Sequence, residues 1–548
     1  MGPETTIFAA RKILTMDPNR PVATHVAVRD GRILGVGERD QLSGWGPHRL
    51  DTRFADKVLM PGLVEGHAHV LEGFVWQHVY LGFYDRRGPD GRIWKGLKSL
   101  DEVIARLKTT EAALTDPDRP LIGWGFDPIF LPGRRMVAAD LDRVSSGRAV
   151  AIIHASFHVM NANSELLRRA GIDASTNVHG VVKGDDGRPT GELLEMAAKF
   201  MAYRALGEDV MAAGNSPAVL RRYAQVAQLA GVTTVTDLHS DLSEKTVATY
   251  RAVTAEPEFP VRLVPAFRGY GIQEDGVAKL ERLRAGNTDK LRFGLVKLIA
   301  DGSIQGFTGR LKWPGYYNGR PNGIWNIAPE ELKGILLPFH KAGFQVHIHV
   351  NGDEASEVAL DAIEAVLAEA PRRDHRHTLQ HCQMADAAQF RRMAALGVAA
   401  NLFSNHIYYW GDAHYAETMG PDRAERMDAV ASAMRCGVAF AIHSDAPITP
   451  IGPLFTAWCA VNRLTASGRR LGEGERIGVA DALRAITLGA AYTLKMDGEI
   501  GSIETGKFAD FTVLDADPLA VPEAELKDIG IFGTVLGGRF FASPSAPT

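Results

Sequence analysis

Gly62-Leu-Val-Glu-Gly-His-Ala-His69 is a short apolar run that ends in two histidines. An open, doubly wound α/β sheet would carry a glycine-rich phosphate turn after its first strand. Here that position carries imidazoles. Further runs of the same kind follow at Val232–Asp237, Val261–Phe267, Arg292–Ile299, Phe344–His349, Arg376–His381, Val398–Leu402 and Val438–His443. Each is short and most are rich in apolar residues, as strands buried on both faces are. Helical patterns at Ser216–Ala230, Pro329–Ala342 and Glu354–Glu369 lie between several of them. Eight such strands with crossover helices predict an α/β fold, a TIM-like (β/α)8 barrel with its active site at the C-terminal strand ends.

The two chain ends read differently. Thr24–Val28, the turn Arg29-Asp-Gly31 and Arg32–Val36 form a strand–turn–strand pattern. Phe508–Leu514, Ile531–Leu536, Gly537-Gly538 and Arg539–Phe541 repeat that style. Neither end can bury a core alone, so residues 1–57 and 500–548 are expected to pair as one small β-sandwich. The barrel then takes residues 58–83 and 215–499. The gap between the first and second strands exceeds what one crossover helix needs. Residues 84–214, with the strand-like Ala149–Ile153, are expected to be an inserted subdomain covering the active site.

The chain has 548 residues, 45% hydrophobic and 23% charged, with a net charge of -4. This balance fits a globular protein and gives no basic face for nucleic acid. Three cysteines in such a length make no disulfide scaffold. No stretch approaches the roughly 18 apolar residues of a membrane span, and the first residues lack the pattern of a secretory signal. A cytoplasmic protein without a membrane or nucleic-acid partner is expected.

Of the 18 histidines, several sit where the predicted strands end. His67 and His69 are two apart, a spacing that points both side chains the same way on an extended chain. His349 ends the fifth strand, His381 the sixth, and His443-Ser444-Asp445 closes the eighth. In a barrel these ends converge, and imidazoles with a carboxylate suit a zinc-type site with an open position for water. Lys297, inside the apolar Gly294-Leu-Val-Lys-Leu-Ile-Ala-Asp301, is costly as an ammonium. It either reacts with carbon dioxide to give an anionic carbamate ligand, or snorkels to the barrel mouth or pairs with Asp301.

In this order, PGLVEGHAH, VKLIADGS, HIHVNGD, LQHC and HSDAP resemble the amidohydrolase superfamily of metal-dependent hydrolases. The closest branch is the N-substituted formamide deformylase-like group, amidohydrolase family 3 or YtcJ-like. GWGFDPIFLPGRRMVAADLD, HASFHVMNANSELLRRAGI, GRPTGELLE and IGSIETGKFADFTVLDADP are similar to further segments of that branch. The resemblance implies two divalent metal ions, with zinc as the default. His67 and His69 would hold the more buried ion and His349 and His381 the more exposed one, bridged by an N6-carboxylated Lys297. Asp445 would bind metal and serve as general base and then acid toward a metal-activated hydroxide. Glu65 and the His-Val-Asn-Gly-Asp sequence depart from the branch's usual residues, which bears on substrate choice rather than on the ligands.

The reaction implied is hydrolysis of an amide or N-acyl carbon–nitrogen bond in a small, partly apolar or aromatic molecule. Deamination, or cyclic amide, imide, ester or lactone hydrolysis, would use the same scaffold. Glu354 lies five residues after His349 and does not match the usual deaminase motif. A non-catalytic binding protein would be expected to have lost ligands that are all present here. His158, His406, Trp410 and Trp124 are candidate substrate contacts; each could equally be ordinary packing or a loop residue. Trp313 is expected either in an apolar pocket or packing the insertion. His347 is expected one layer below His349, His239 stays undecided, and Cys382 is expected to point away from the metal. A homo-oligomer is expected by analogy with relatives.

Overall fold

Each of the eight apolar runs lies on a strand of one parallel sheet. A computed structural model describes residues 5–131, 134–207, 215–271 and 275–543. The strands are β1 (Leu63–Glu65), β2 (Val232–Ser240), β3 (Arg262–Arg268), β4 (Leu295–Ile299), β5 (Gln345–Val350), β6 (Thr378–His381), β7 (Ala399–Leu402) and β8 (Phe440–Ile442). They are hydrogen-bonded to one another in chain order from β1 to β8, every pair parallel. Nearly every residue on them is buried, because crossover helices cover the outer face. The helix Asp353–Glu369, for example, buries Ala355, Ala359, Leu360, Ile363 and Val366 along one stripe. Each larger aliphatic side chain there contributes about 1.5–3 kcal/mol. The helices Pro217–Leu229 and Pro329–Lys341 both start at a proline, whose fixed φ suits a first turn.

Both chain ends enter one seven-stranded sheet, in the order Arg539–Ala542, Ile531–Leu536, Phe511–Leu514, His48–Pro61, Thr5–Leu14, Val22–Arg29, Arg32–Gly37. The joint between the ends is the antiparallel pairing of Phe511–Leu514 with Val58–Pro61. Phe8, Phe54 and Phe511 pack ring against ring in its core. The charges of His48-Arg-Leu-Asp-Thr-Arg-Phe-Ala-Asp-Lys57 conceal a strand of 14 residues that runs on to Pro61 and delivers the chain to β1.

Contacts divide the chain into two units, Met1–His69 with Ala224–Thr548, and Val70–Tyr223. The second unit has its own six-stranded sheet, ordered Val181–Lys183, Pro189–Leu194, Val159–Ala162, Val150–His154, Leu121–Phe126, Val79–Tyr80. Leu107, Leu121, Val150 and Ile152 lie in its hydrophobic core. Among the described residues no helix is long and apolar enough to cross a membrane.

Candidate metal centre

His67 and His69 follow directly on β1, and Asp445 follows β8. The Asp445 N–H donates to the His67 carbonyl at 3.0 Å, and the His69 N–H to the Ala446 carbonyl at 2.9 Å. These bonds bring the carboxylate onto the imidazoles. Asp445 Oδ1 lies 3.3 Å from His67 Nε2 and 3.2 Å from His69 Nε2, and Oδ2 lies 3.7 Å from His381 Nδ1. One donor atom from each of His67, His69 and Asp445 falls within 4.8 Å of the others.

Lys297, on β4, is 1% exposed and places Nζ 3.3 Å from His67 Nε2. Burial lowers its pKa to about 7, against the opposing pull of Asp445. Asp301, the other acid considered for Lys297, is fully buried and accepts the N–H groups of Arg310, Asn351 and Gly352. The His381 ring packs against His349 (4.4 Å between centroids) and His67 (4.6 Å). Neither nitrogen of His381 has a hydrogen-bond partner among the described residues. His349 Nε2 lies 3.0 Å from Asn351 Nδ2 and 3.2 Å from the Gly302 carbonyl.

The donor chemistry fits a metal. Burial, reinforced by neighbouring positive groups, pushes the pKa of His67 and His381 well below that of ordinary histidine, which keeps a lone pair available. Gln380 fixes which nitrogen of His67 carries it. His67 Nδ1–H donates to Gln380 Oε1 at 2.6 Å, and Nε2 is left for the ion. Gln380 also donates from Nε2 to His347 Nδ1 at 2.6 Å and accepts from Asn401 Nδ2 at 3.0 Å. His347 is therefore linked to the His67 ring through Gln380.

Gln380 was not singled out in the sequence. Strand alternation would place consecutive residues on opposite faces, yet Gln380 and His381 both reach this cluster. His381 is at φ 72°, with Cys382 at φ 50° and Asp445 at φ 53°. Non-glycine residues held there are strained, and such strain collects at functional sites. Glu65, read from the sequence as a departure bearing on substrate choice, has a bracing role that the sequence did not show. It accepts the Ser444 hydroxyl at 2.7 Å and the N–H groups of Ser444 and His67 at 3.2 and 3.3 Å. Burial raises its pKa to about 7.

His406 is buried, with Nδ1 2.7 Å from His414 Nε2, and it stacks on Trp410, itself 2% exposed. His158 and Trp124 belong to the second unit. His158 Nδ1 pairs with the Glu195 carboxylate at 2.9 Å. Trp124 is fully buried against Trp76, Tyr80 and Arg86, inside that unit's packing. Trp313, in the loop after β4, is 95% exposed. His239 Nε2 meets the Tyr270 hydroxyl at 3.3 Å, and Cys382 Sγ turns to the Leu379 carbonyl at 3.4 Å.

Residues 55–542 match the model of the amidohydrolase family. The N-substituted formamide deformylase of Arthrobacter pascens is 27% identical, over 96% of this chain and 96% of its own. The Arabidopsis thaliana protein LONG AFTER FAR-RED 3 is also 27% identical, over 96% of this chain and 90% of its own. A metal-dependent hydrolase from Pyrococcus horikoshii, of uncharacterised activity, shares the fold with a TM-score of 0.73 at 23% identity. It covers 95% of this chain and 99% of that one.

Proposed function

Because the chain belongs to the amidohydrolase family, we propose that it hydrolyses an amide or N-acyl carbon–nitrogen bond in a small, partly apolar substrate. The observation that carries this reading is the placement of Asp445 Oδ1 within 3.3 Å of Nε2 on both His67 and His69. His67, His69, Lys297, His349, His381 and Asp445 would hold two divalent ions, with zinc as the default. Lys297 would take part as its carbamate, since its neutral amine can add carbon dioxide and release a proton. When bound, the ions supply Lewis-acid polarisation of the scissile carbonyl and a water acidic enough to react near neutral pH.

The chain's own residues supply the rest. Gln380 holds the His67 ring in the tautomer that presents Nε2. Asp445 takes the proton of the attacking water and returns it to the leaving nitrogen, which a neutral amide needs in order to depart. Phe403, whose ring lies 5.8 Å from that of His381, offers an apolar wall for a substituent. Glu354, the carboxylate nearest to a deaminase role, is engaged by the Arg310 guanidinium at 3.0 and 3.1 Å. That favours hydrolysis over deamination.

The parallel sheet is read as a closed (β/α)8 barrel, supported by the parallel bridge of Ala68 with Ala446 that links the segments after β1 and β8. The three-part division of the chain, the roles of His158, His406, Trp410 and Trp124 around the substrate, a cytoplasmic location and self-association belong to the same proposal. The test is a hydrolysis screen of N-formyl, N-acyl and aryl-amide compounds, with and without chelator, beside elemental analysis. Chelator-insensitive turnover, or turnover confined to ammonia release from aminopurines or aminopyrimidines, would overturn it.

A further inference from the structure

His443 follows β8 and precedes Asp445 by two residues. Its ring is 1% exposed, and neither of its nitrogens has a hydrogen-bond partner among the described residues. It is wedged among three other rings. It stacks on His67 (4.7 Å, 22°) and on Phe403 (4.8 Å, 27°), and meets His381 edge-on at 5.0 Å. A buried imidazole that satisfies neither nitrogen works against folding, and a group of this kind asks for an explanation.

Its neighbours supply one. One nitrogen from each of His67, His381 and His443 lies within 4.8 Å of the other two, and all three residues are buried. His67 is common to both donor sets, and with its Nδ1 committed to Gln380 it has one nitrogen to offer an ion at a time. His349 and Lys297 are in neither set.

We propose that His443 is a metal-directed residue: with His67 and His381 it forms an all-imidazole seat for one divalent ion, alternative to the seat of His67, His69 and Asp445. The proposal rests on the metal centre put forward above. Three imidazoles without a carboxylate suit zinc, cobalt or nickel and serve magnesium or manganese poorly. The seat also needs no carbamate, so it can hold an ion while Lys297 is a free amine.

The experiment uses the full chain stripped with chelator, titrated with Co2+ in bicarbonate-free buffer. Affinity is read by competition with a chromophoric chelator, and coordination by the visible cobalt bands. His443→Gln removes the imidazole; His443→Phe keeps an aromatic ring against His67 and Phe403 but has no donor. Circular dichroism and thermal melting establish that each variant is folded. The expected result is cobalt affinity at least about tenfold weaker in both variants, a floor set by what losing even an indirect partner of a ligand costs, with altered cobalt bands. Wild-type affinity and unchanged bands in a folded His443→Phe chain overturn this proposal alone. A wild-type chain that takes up no cobalt overturns the metal centre with it.

Discussion

Asp445 meets His67 twice: its N–H donates to the His67 carbonyl at 3.0 Å, and its Oδ1 stands 3.3 Å from that residue's Nε2. Backbone and side chain thus act together. The bond that ties the segment after β8 to the segment after β1 also sets the carboxylate against the imidazole. Glu65 braces the same junction through Ser444 and the His67 N–H.

Glu65→Ala should destabilise the chain by several kcal/mol. It leaves the Ser444 hydroxyl and two N–H groups buried without their acceptor, at about 1–3 kcal/mol each. Glu65→Gln keeps one acceptor oxygen and should lose less. Denaturant unfolding of the two variants checks this, and equal stability of Glu65→Ala and wild type would rule out the brace.

This junction marks how far the sequence could be read. The eight strands stood out as short runs, most of them apolar, with helical patterns between several of them, and β5 and β6 fall within a residue or two of the expected bounds. The candidate ligand residues stood out because histidines at strand ends are chemically conspicuous. Gln380 did not, because its role depends on the positive φ of His381, which no local pattern announces. Glu65 stood out only as a departure from the branch; its bracing role did not, because its partner Ser444 is 379 residues away along the chain. His443 stood beside the Ser-Asp pair without a signal of its own, since only the fold shows that its nitrogens lack partners among the described residues.

Lys297 should carry a carbamate when the metals are bound. Protein loaded with metal in 13C-labelled bicarbonate should show a carbamate carbon by NMR that is absent from Lys297→Met. The variant should also bind fewer ions. A labelled wild type without that signal, at full metal occupancy and activity, would remove the carbamate from the account.

Stability should fall as the pH drops below about 6.5, the value at which histidine titrates in an unfolded chain. Burial lowers the pKa of His154 and His414 to about 3, and of His78 to about 4. Over that window the unfolded chain binds protons that the folded chain refuses. The loss approaches about 1.4 kcal/mol per pH unit for each such histidine. Urea unfolding of metal-stripped protein across this range measures the slope. His154→Gln should reduce it by close to one proton, and a slope unchanged by that substitution would contradict the buried, neutral His154.

Asp445→Asn should retain most of its metal, because the imidazoles remain, while turnover falls by about 100-fold to 10,000-fold as the proton acceptor is lost. Steady-state kinetics together with elemental analysis of the same sample separate the two effects. Wild-type turnover in a metal-loaded Asp445→Asn chain would take the general base and acid role from this residue.

Metal content and amide hydrolysis, read on one preparation through chelation and zinc return, test the central claim most directly. The account predicts that the purified chain holds about two divalent ions, that hydrolysis of its best N-formyl or N-acyl substrate stops when they are stripped, and that added zinc restores it. Hydrolysis that continues undiminished in the stripped chain would contradict it.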